Sequence, residues 1–350
     1  MRHTVSKTDE RQLLDFSIAR IGFLGFQEKK KLSDNLDSVH DLALLSIEDI
    51  SEIAERRLRP LSGWNGTANV ESARRAMSIC SSLGILALPH YDSDYPEMLR
   101  CSDSPPYMLF CRGDVSALCG RSVSVVGTRK LTPQGRKAAF DFAHDAVLDG
   151  CCVVSGLAAG ADGAAHQGAV AAAAEFRMNG ASSAALGKTV AVLPCAADEI
   201  VPSMHRGLAA AILRGGGCII SEYEPGAPGA AWRFVARNRI IAALSPATVV
   251  IEAPPGSGAL ITAEFALDSG RDVMFHQAAF TAQAAAVSAR TSENLGRKFA
   301  RGEVSRHKIE NTPQKYLDAG APVVRSYEDY RECLGEPPGH RAPTEQQKLF

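Results

Sequence analysis

Three short stretches carry the residue types that grip anions. They read Gly127-Thr128-Arg129-Lys130, Ser155-Gly156-Leu157-Ala158-Ala159-Gly160-Ala161-Asp162 and Pro254-Pro255-Gly256-Ser257-Gly258. Small residues let backbone N–H groups approach a ligand closely. Each stretch follows an apolar run and precedes a helical pattern, so it feeds a helix N-terminus. Unpaired donors and the helix dipole favour negative charge there. Phosphate is the guest that fits. One glycine-rich turn has purely conformational uses; three on one edge, with Arg129 and Lys130 beside the first, point to binding.

A fourth stretch is WRFVARNRI, residues 232–240. Arg233 and Arg237 lie four apart on a helix predicted from about Ala231 to Leu244, and so share a face. Like charges at that spacing repel by roughly a few tenths of a kcal/mol. A bridging anion relieves the repulsion, and so does solvent around an exposed basic face; spacing alone leaves both readings open. No acid lies between Glu224 and Glu252, and Asn238 with the apolar run after it places this face half-buried at the sheet edge. The acids Asp141, Asp145 and Asp149 form an i, i+4, i+8 stripe, read as the solvent face of a helix. His166 follows Asp162 by one helical turn. That pair either orients a ligand or caps and braces the helix, and Asp162 at a predicted N-cap favours bracing. No paired carboxylates or Ser/His/Asp order stand out.

The elements that position these loops follow from periodicity. From residue 121, strands read at 122–127, 151–156, 189–194, 218–222, 248–254 and 272–276, alternating with helices. Continuous apolar strands of this kind belong to a parallel sheet covered on both faces. Ligands in such sheets bind outside the carboxyl ends of the strands, which is where the three glycine-rich stretches fall. Residues 1–75 show only helical spacing and read as a small all-α N-terminal domain. Residues 76–120, with their prolines and aromatics, read as extended connectors packed on the main domain of 121–332. Residues 176–187 read as a Gly/Ser/Ala-rich surface insertion. Residues 277–310 lack a clear period and read as a long, partly mobile excursion, with six basic residues against three acids. Residues 333–350 read as a polar tail.

Composition excludes several classes. With 350 residues, 45% hydrophobic and 22% charged, there is room for a sizeable core and about two domains. A net charge of −1 argues against coating nucleic acid by bulk charge. The neutral sum hides segregation: Arg121, Arg129, Lys130, Arg136 and Lys137 fall within 121–140 without an acid. No window is long and apolar enough for a membrane span, and no signal-peptide core is visible. Nine cysteines without a CxxC pair, and no zinc-type Cys/His spacing, point to a reducing cytoplasm and no metal. The stretch GASSAALGKT fails as a phosphate-binding P-loop, because Ser182 stands where glycine is required and a strand follows it. GSG at 256–258 does not extend to GxGxxG, since Ile261 occupies the third position.

At these residues the chain resembles the DprA/Smf family of DNA-processing proteins. The matching stretches include VVGTRKLTPQG (125–135), VVSGLAAGADGAAHQGAV (153–170), ARNRIIAALSPATVVIEA (236–253), SGALITAEFALDSGRDV (257–273) and AGAPVV (319–324). The resemblance implies a Rossmann-like, mostly parallel sheet flanked by helices, with a small SAM-like or helix-hairpin-helix-like N-terminal domain. It implies a cytoplasmic, non-enzymatic homodimer without cofactor that binds single-stranded DNA and helps load the RecA recombinase in natural transformation. Carried over by motif, Gly127, Thr128 and Arg129 match the first phosphate loop, and Ser155, Gly156, Gly160 and Asp162 the second. Arg237, Asn238 and Arg239 match an RNR element, and Ser257, Gly258 and Thr262 the last loop. Lys130, Arg233 and Gly256 join them as expected phosphate contacts. The family usually has Arg at Ala159, Ile at Ala161 and Lys at Ser203, so cations are missing here; the basic stretch 290–308 is a candidate to replace them. The C-terminal winged helix of many members is not expected here. Two alternatives are a LOG-like phosphoribohydrolase, through Pro255-Gly256-Ser257-Gly258 with Glu264, and a nucleotide-sensing module that has lost DNA binding.

Overall fold

The computed structural model describes residues 7–59, 63–178, 186–227 and 229–335. Among them a nine-stranded sheet runs through the molecule. Its strands are β1 (Leu86–Pro89), β2 (Met108–Gly113), β3 (Ser122–Val126), β4 (Cys152–Ser155), β5 (Thr189–Val192), β6 (Cys218–Ser221), β7 (Ala247–Val250), β8 (Asp272–His276) and β9 (Val323–Val324). The order is β1-β2-β6-β5-β4-β3-β7-β8-β9. β1 pairs with β2 and β2 with β6 antiparallel; all other pairings are parallel. The expected mostly parallel α/β sheet is therefore present. One element differs from expectation. Within the segment read as connectors, 86–89 and 108–113 are strands of the main sheet, β2 pairing with β6 and β1 with β2.

Ahead of the sheet come α1 (Lys7–Ala19), α2 (Phe26–Asn35), α3 (Val39–Leu44), α4 (Ile47–Ile53) and α5 (Gly66–Leu83). Local chemistry sets their limits. Ser38 with Asp41 and Ser46 with Asp49 form capping boxes, Asn65 caps α5, and Gly84, at φ +63°, ends it. Helix α5 runs across residue 75, so the chain passes from helices to sheet without a break there. Leu14, Phe16, Ile18, Leu32, Leu42 and Ile50 form a core that includes Tyr107, Met108 and Phe110. The first helices thus pack onto the sheet through β2, with Phe16 edge-on to Phe110 at 5.6 Å.

The short α6 (Glu97–Arg100) leads into β2. Beyond it, the strands alternate with α7 (Pro133–Leu148), α8 (Ala161–Met178), α9 (Arg206–Arg214), α10 (Arg233–Ala236), α11 (Asn238–Ala243) and α12 (Gly258–Asp268). Two apolar cores cover opposite faces of the sheet, one around Val126, Val154, Val192 and Ile220, the other around Val125, Val153 and Val249. Alternate residues of one strand serve alternate faces. The helix predicted over 231–244 divides at Arg237, where the turn tightens and Ile240 bonds three residues back to the Arg237 carbonyl at 2.9 Å. Of the predicted insertion, 176–178 continue α8 and 179–185 lie outside the described residues, as does the tail beyond 335.

The reading of 277–310 as an aperiodic excursion is corrected. It holds α13 (Ala282–Ala300), capped by Thr281, and α14 (Arg306–Glu310), followed by α15 (Pro313–Asp318), β9 and α16 (Tyr327–Cys333). The inward stripe of α13 is Ala284, Ser288, Thr291 and Leu295. Two of those four are polar, so the helical period carries almost no hydrophobic signal. Among the described residues no helix is long and apolar enough to cross a membrane.

Helices α7 and α8 touch backbone to side at Gly168, where an added Cβ would fall far inside contact distance of the Phe140 carbonyl. Gly168→Ala is expected to force the pair apart and cost roughly 1–3 kcal/mol, read as a lower urea midpoint at unchanged slope.

Candidate nucleic-acid interface

The parallel strands change direction of succession between β3 and β7, so the loops after these two strands flank a topological switch point. The structure ties these loops together there. Thr128 donates its N–H to the Glu252 carbonyl at 2.6 Å. The buried Glu252 carboxylate accepts the Thr132 N–H at 3.0 Å and the Thr132 hydroxyl. Thr132 in turn caps α7 by accepting from Gly135 N–H at 3.0 Å. A Cβ at Gly135 would collide with that carboxylate, which is why glycine stands there. Sequence reading missed Glu252; an acid closing an apolar strand, within VVIEA, was the available signal.

The second loop is held by two buried charges acting on either side of one residue, Gly156. Asp162 accepts the N–H groups of Gly156 at 3.2 Å and Ala158 at 3.3 Å. Arg237 donates Nη1 to the Gly156 carbonyl at 2.6 Å and to the Val192 carbonyl, and Nε to Asn238 Oδ1 at 3.0 Å. Asn238 reaches on to the Gly258 carbonyl at 3.3 Å. One side-chain chain therefore links the ends of β4 and β5 to the start of α12. Burial lowers the Arg237 pKa to about 10 against the favourable field of Asp162, and burial raises that of Asp162 despite Arg237 and the two N–H donors. A Cβ at Gly156 would overlap the guanidinium. Gly160, at φ +87°, lies against the Thr128 carbonyl and Arg129 backbone, so it too has to be glycine.

These contacts alter the sequence picture in two places. Arg233 and Arg237 do not share an anion: Arg237 is only 3% exposed, while Arg233 lies over the Tyr223 ring at 3.9 Å. The buried Arg237 is spent on carbonyls because the sheet edge beneath it has acceptors to satisfy. Many loop N–H groups are also taken internally, those of Thr128, Lys130, Gly156, Ala158, Ala161, Gly256 and Ser257 among them. Ser155 donates to the Val125 carbonyl at 2.6 Å, and Thr262 to the Gly258 carbonyl at 3.2 Å. Arg239 pairs with Glu222. Gly256 is covered by Lys308 and Leu295, and its N–H bonds to the Asn311 carbonyl at 2.9 Å. Ser257 keeps a buried hydroxyl without a partner beside the open Gly258.

What faces outward is cationic. Arg129 and Lys130 are exposed at the end of the first loop, with the Arg129 guanidinium 5.1 Å from the Phe234 ring. A cleft alongside is lined by Leu131, Pro133, Arg136, Lys137 and Asp141, the last two forming an ion pair. The Asp162–His166 pair resolves as bracing. His166 is fully buried and meets Thr189 Oγ1 at 2.8 Å. Glu264, the acid of the phosphoribohydrolase alternative, is engaged by His307 at 2.8 Å and Lys315 at 3.8 Å.

Fold and edge together define a class: a Rossmann-like α/β protein whose strand-end loops are cross-braced by buried charges and turn cations outward. The particular family follows from comparison. The family described as DNA recombination-mediator protein A matches residues 87–310, and the chain belongs to it. It is 37% identical over 202 residues to Protein Smf of Escherichia coli (strain K12), covering 56% of this chain and 50% of that protein. It is 31% identical over 264 residues to Protein Smf of Borreliella burgdorferi, covering 75% of this chain and 78% of that one. The match thus spans half the length of the E. coli relative. Among solved structures, DNA processing protein A of Streptococcus pneumoniae superposes with a TM-score of 0.62 at 26% identity, over 97% of this chain and all of that one. The Helicobacter pylori protein shares the fold, with a TM-score of 0.51 at 22% identity over 73% of this chain and 97% of that one.

Two outcomes test the bracing. Arg237→Met strands the Gly156 and Val192 carbonyls and leaves Asp162 uncompensated, so it is expected to cost roughly 3–5 kcal/mol, measured by urea unfolding. Burial, with His205 and Arg237 nearby, lowers the His166 pKa to about 3. The unfolded chain therefore takes up that proton first, near pH 6.5. The stability held by neutral His166 is complete above about pH 6.5 and lost as pH falls toward 3. His166→Gln should flatten the pH dependence of the urea midpoint across that window; parallel curves for the two proteins would refute it.

Proposed function

We propose that this edge binds single-stranded DNA without reading its bases, and that the protein protects such strands and helps load a RecA-type recombinase, acting as a homodimer in DNA uptake and recombination. The observation that carries the reading is the pair of exposed cations Arg129 and Lys130 on a loop braced from below by Glu252. Membership of a DNA recombination-mediator family supports it independently. Rigid loops with outward cations contact phosphates, and phosphate contacts position a strand without reading sequence. Arg136 in the adjoining cleft adds a further exposed cation, while Lys137 there pairs with Asp141. An open edge of this kind suits a flexible single strand that tracks a positively charged surface. Ser257 and Gly258 stand at the N-terminus of α12, where a phosphate would meet the dipole of an 11-residue helix. Of the other residues carried over by motif, Gly127, Gly156, Gly160, Asp162, Arg237 and Asn238 serve by shaping the edge.

The test is anisotropy of a labelled oligothymidylate across a salt series, with duplex DNA as competitor. Tight binding that weakens steeply with salt is expected, with a slope of about 0.7 per phosphate contacted. Arg129→Glu should weaken it roughly tenfold or more and lower the slope by about one, with an unchanged melting temperature because this side chain is exposed. Equal affinity for single strands before and after that substitution would remove Arg129 from the interface.

A further inference from the structure

The cationic edge is interleaved with aromatic rings, and one of them leaves most of its surface open to solvent. Trp232 is 63% exposed, just ahead of the four-residue α10, which buries none of its residues. Indoles are large and mostly sheltered in folded proteins, so an exposed one on a functional edge marks a contact surface. Its surroundings are specific. Tyr223, in the loop after β6, stands edge-on to it, with ring centroids 6.3 Å apart and planes at 86°. The Arg233 guanidinium lies 3.9 Å from the Tyr223 centroid and 5.6 Å from that of Trp232. Its Nε and Nη1 are sheltered from solvent yet have no hydrogen-bond partner. One residue on, Phe234 underlies the exposed Arg129. The row is therefore Tyr223, Trp232, Arg233, Phe234, Arg129: rings braced by cations, with the indole the most open.

We propose that Trp232 is a stacking platform for an unpaired base, with Arg233 steadying the rings of Tyr223 and Trp232 from behind. This rests on the edge being a single-strand site. Every base has a π face, so such a platform adds affinity without adding sequence preference. It also separates single strands from duplex, whose bases are already stacked on one another.

The chain has two tryptophans, and Trp64 sits in the N-terminal helical region with its Nε1–H on the Leu45 carbonyl at 2.7 Å. In full-length W64F protein, Trp232 is the sole indole. Two labelled oligomers of equal length serve as probes, an oligothymidylate and an abasic deoxyribose-phosphate chain. The oligothymidylate should quench Trp232 emission along the same isotherm that anisotropy reports. It should bind about five- to 150-fold more tightly than the abasic chain. In W64F/W232A that difference should largely vanish while abasic affinity stays, and W64F/W232F should restore most of it. Trp232 is exposed, so each variant should keep the parent melting temperature. Tight oligothymidylate binding with unquenched Trp232 and an intact thymidylate-over-abasic preference in W232A overturns the platform and leaves the DNA reading standing. No binding of either oligomer overturns both.

Discussion

The candidate edge depends on a buried arginine that never reaches solvent. Arg237 holds the Gly156 and Val192 carbonyls at the ends of two adjacent strands and, through Asn238, the loop that opens α12. A guanidinium is suited to this because its planar fork presents several donors in fixed directions, which a lysine cannot do. Removing such a charge from water is costly, and the cost is offset by Asp162 and by carbonyls that would otherwise lack donors. Asp162 holds the same residue, Gly156, by its N–H. The two peptide units that flank Gly156 are thus held by opposite charges, and only a glycine leaves room for the guanidinium.

Glu252 does the corresponding work on the other side of the switch point. Its carboxylate fills the crevice between the loops after β3 and β7, capping α7 through Thr132. In dinucleotide-binding sheets that crevice takes the cofactor. Here a carboxylate occupies it, and further along, α14 lies on Gly256. What is left for a ligand is the outer rim, where Arg129, Lys130 and the aromatic row face solvent. A rim is a surface for a polymer, whereas a crevice holds a small molecule. The buried charges stiffen the loops, and Arg129 and Lys130 stay exposed.

The four arginines of the two cationic stretches make the limits of sequence reading concrete. Arg129, Arg233, Arg237 and Arg239 look alike as letters among small and apolar neighbours. In three dimensions they are an exposed cation over Phe234, a guanidinium stacked on Tyr223, a buried brace and one half of an ion pair with Glu222. Helical spacing put Arg233 and Arg237 on one face, yet the helix divides at Arg237 and the two side chains go to different partners. Helix α13 was missed for a different reason: its inward stripe is half polar, so the periodic signal was too faint. The strands β1 and β2 were missed because edge pairing is decided by the partner strand.

Sequence by itself determined the alternation of buried strands and helices, the parallel sheet and the position of the glycine-rich loops at its carboxyl edge. These follow from local periodicity and from the rule that strands covered on both faces are apolar throughout. The motifs also sufficed to identify the family. Tertiary structure alone decided which polar groups face inward. That choice depends on which carbonyls and N–H groups are left unsatisfied when distant segments meet, as Arg237 meets Gly156 across 81 residues and Glu252 meets Thr132 across 120. Burial and hydrogen bonding are settled between segments, and no spacing within one segment encodes them.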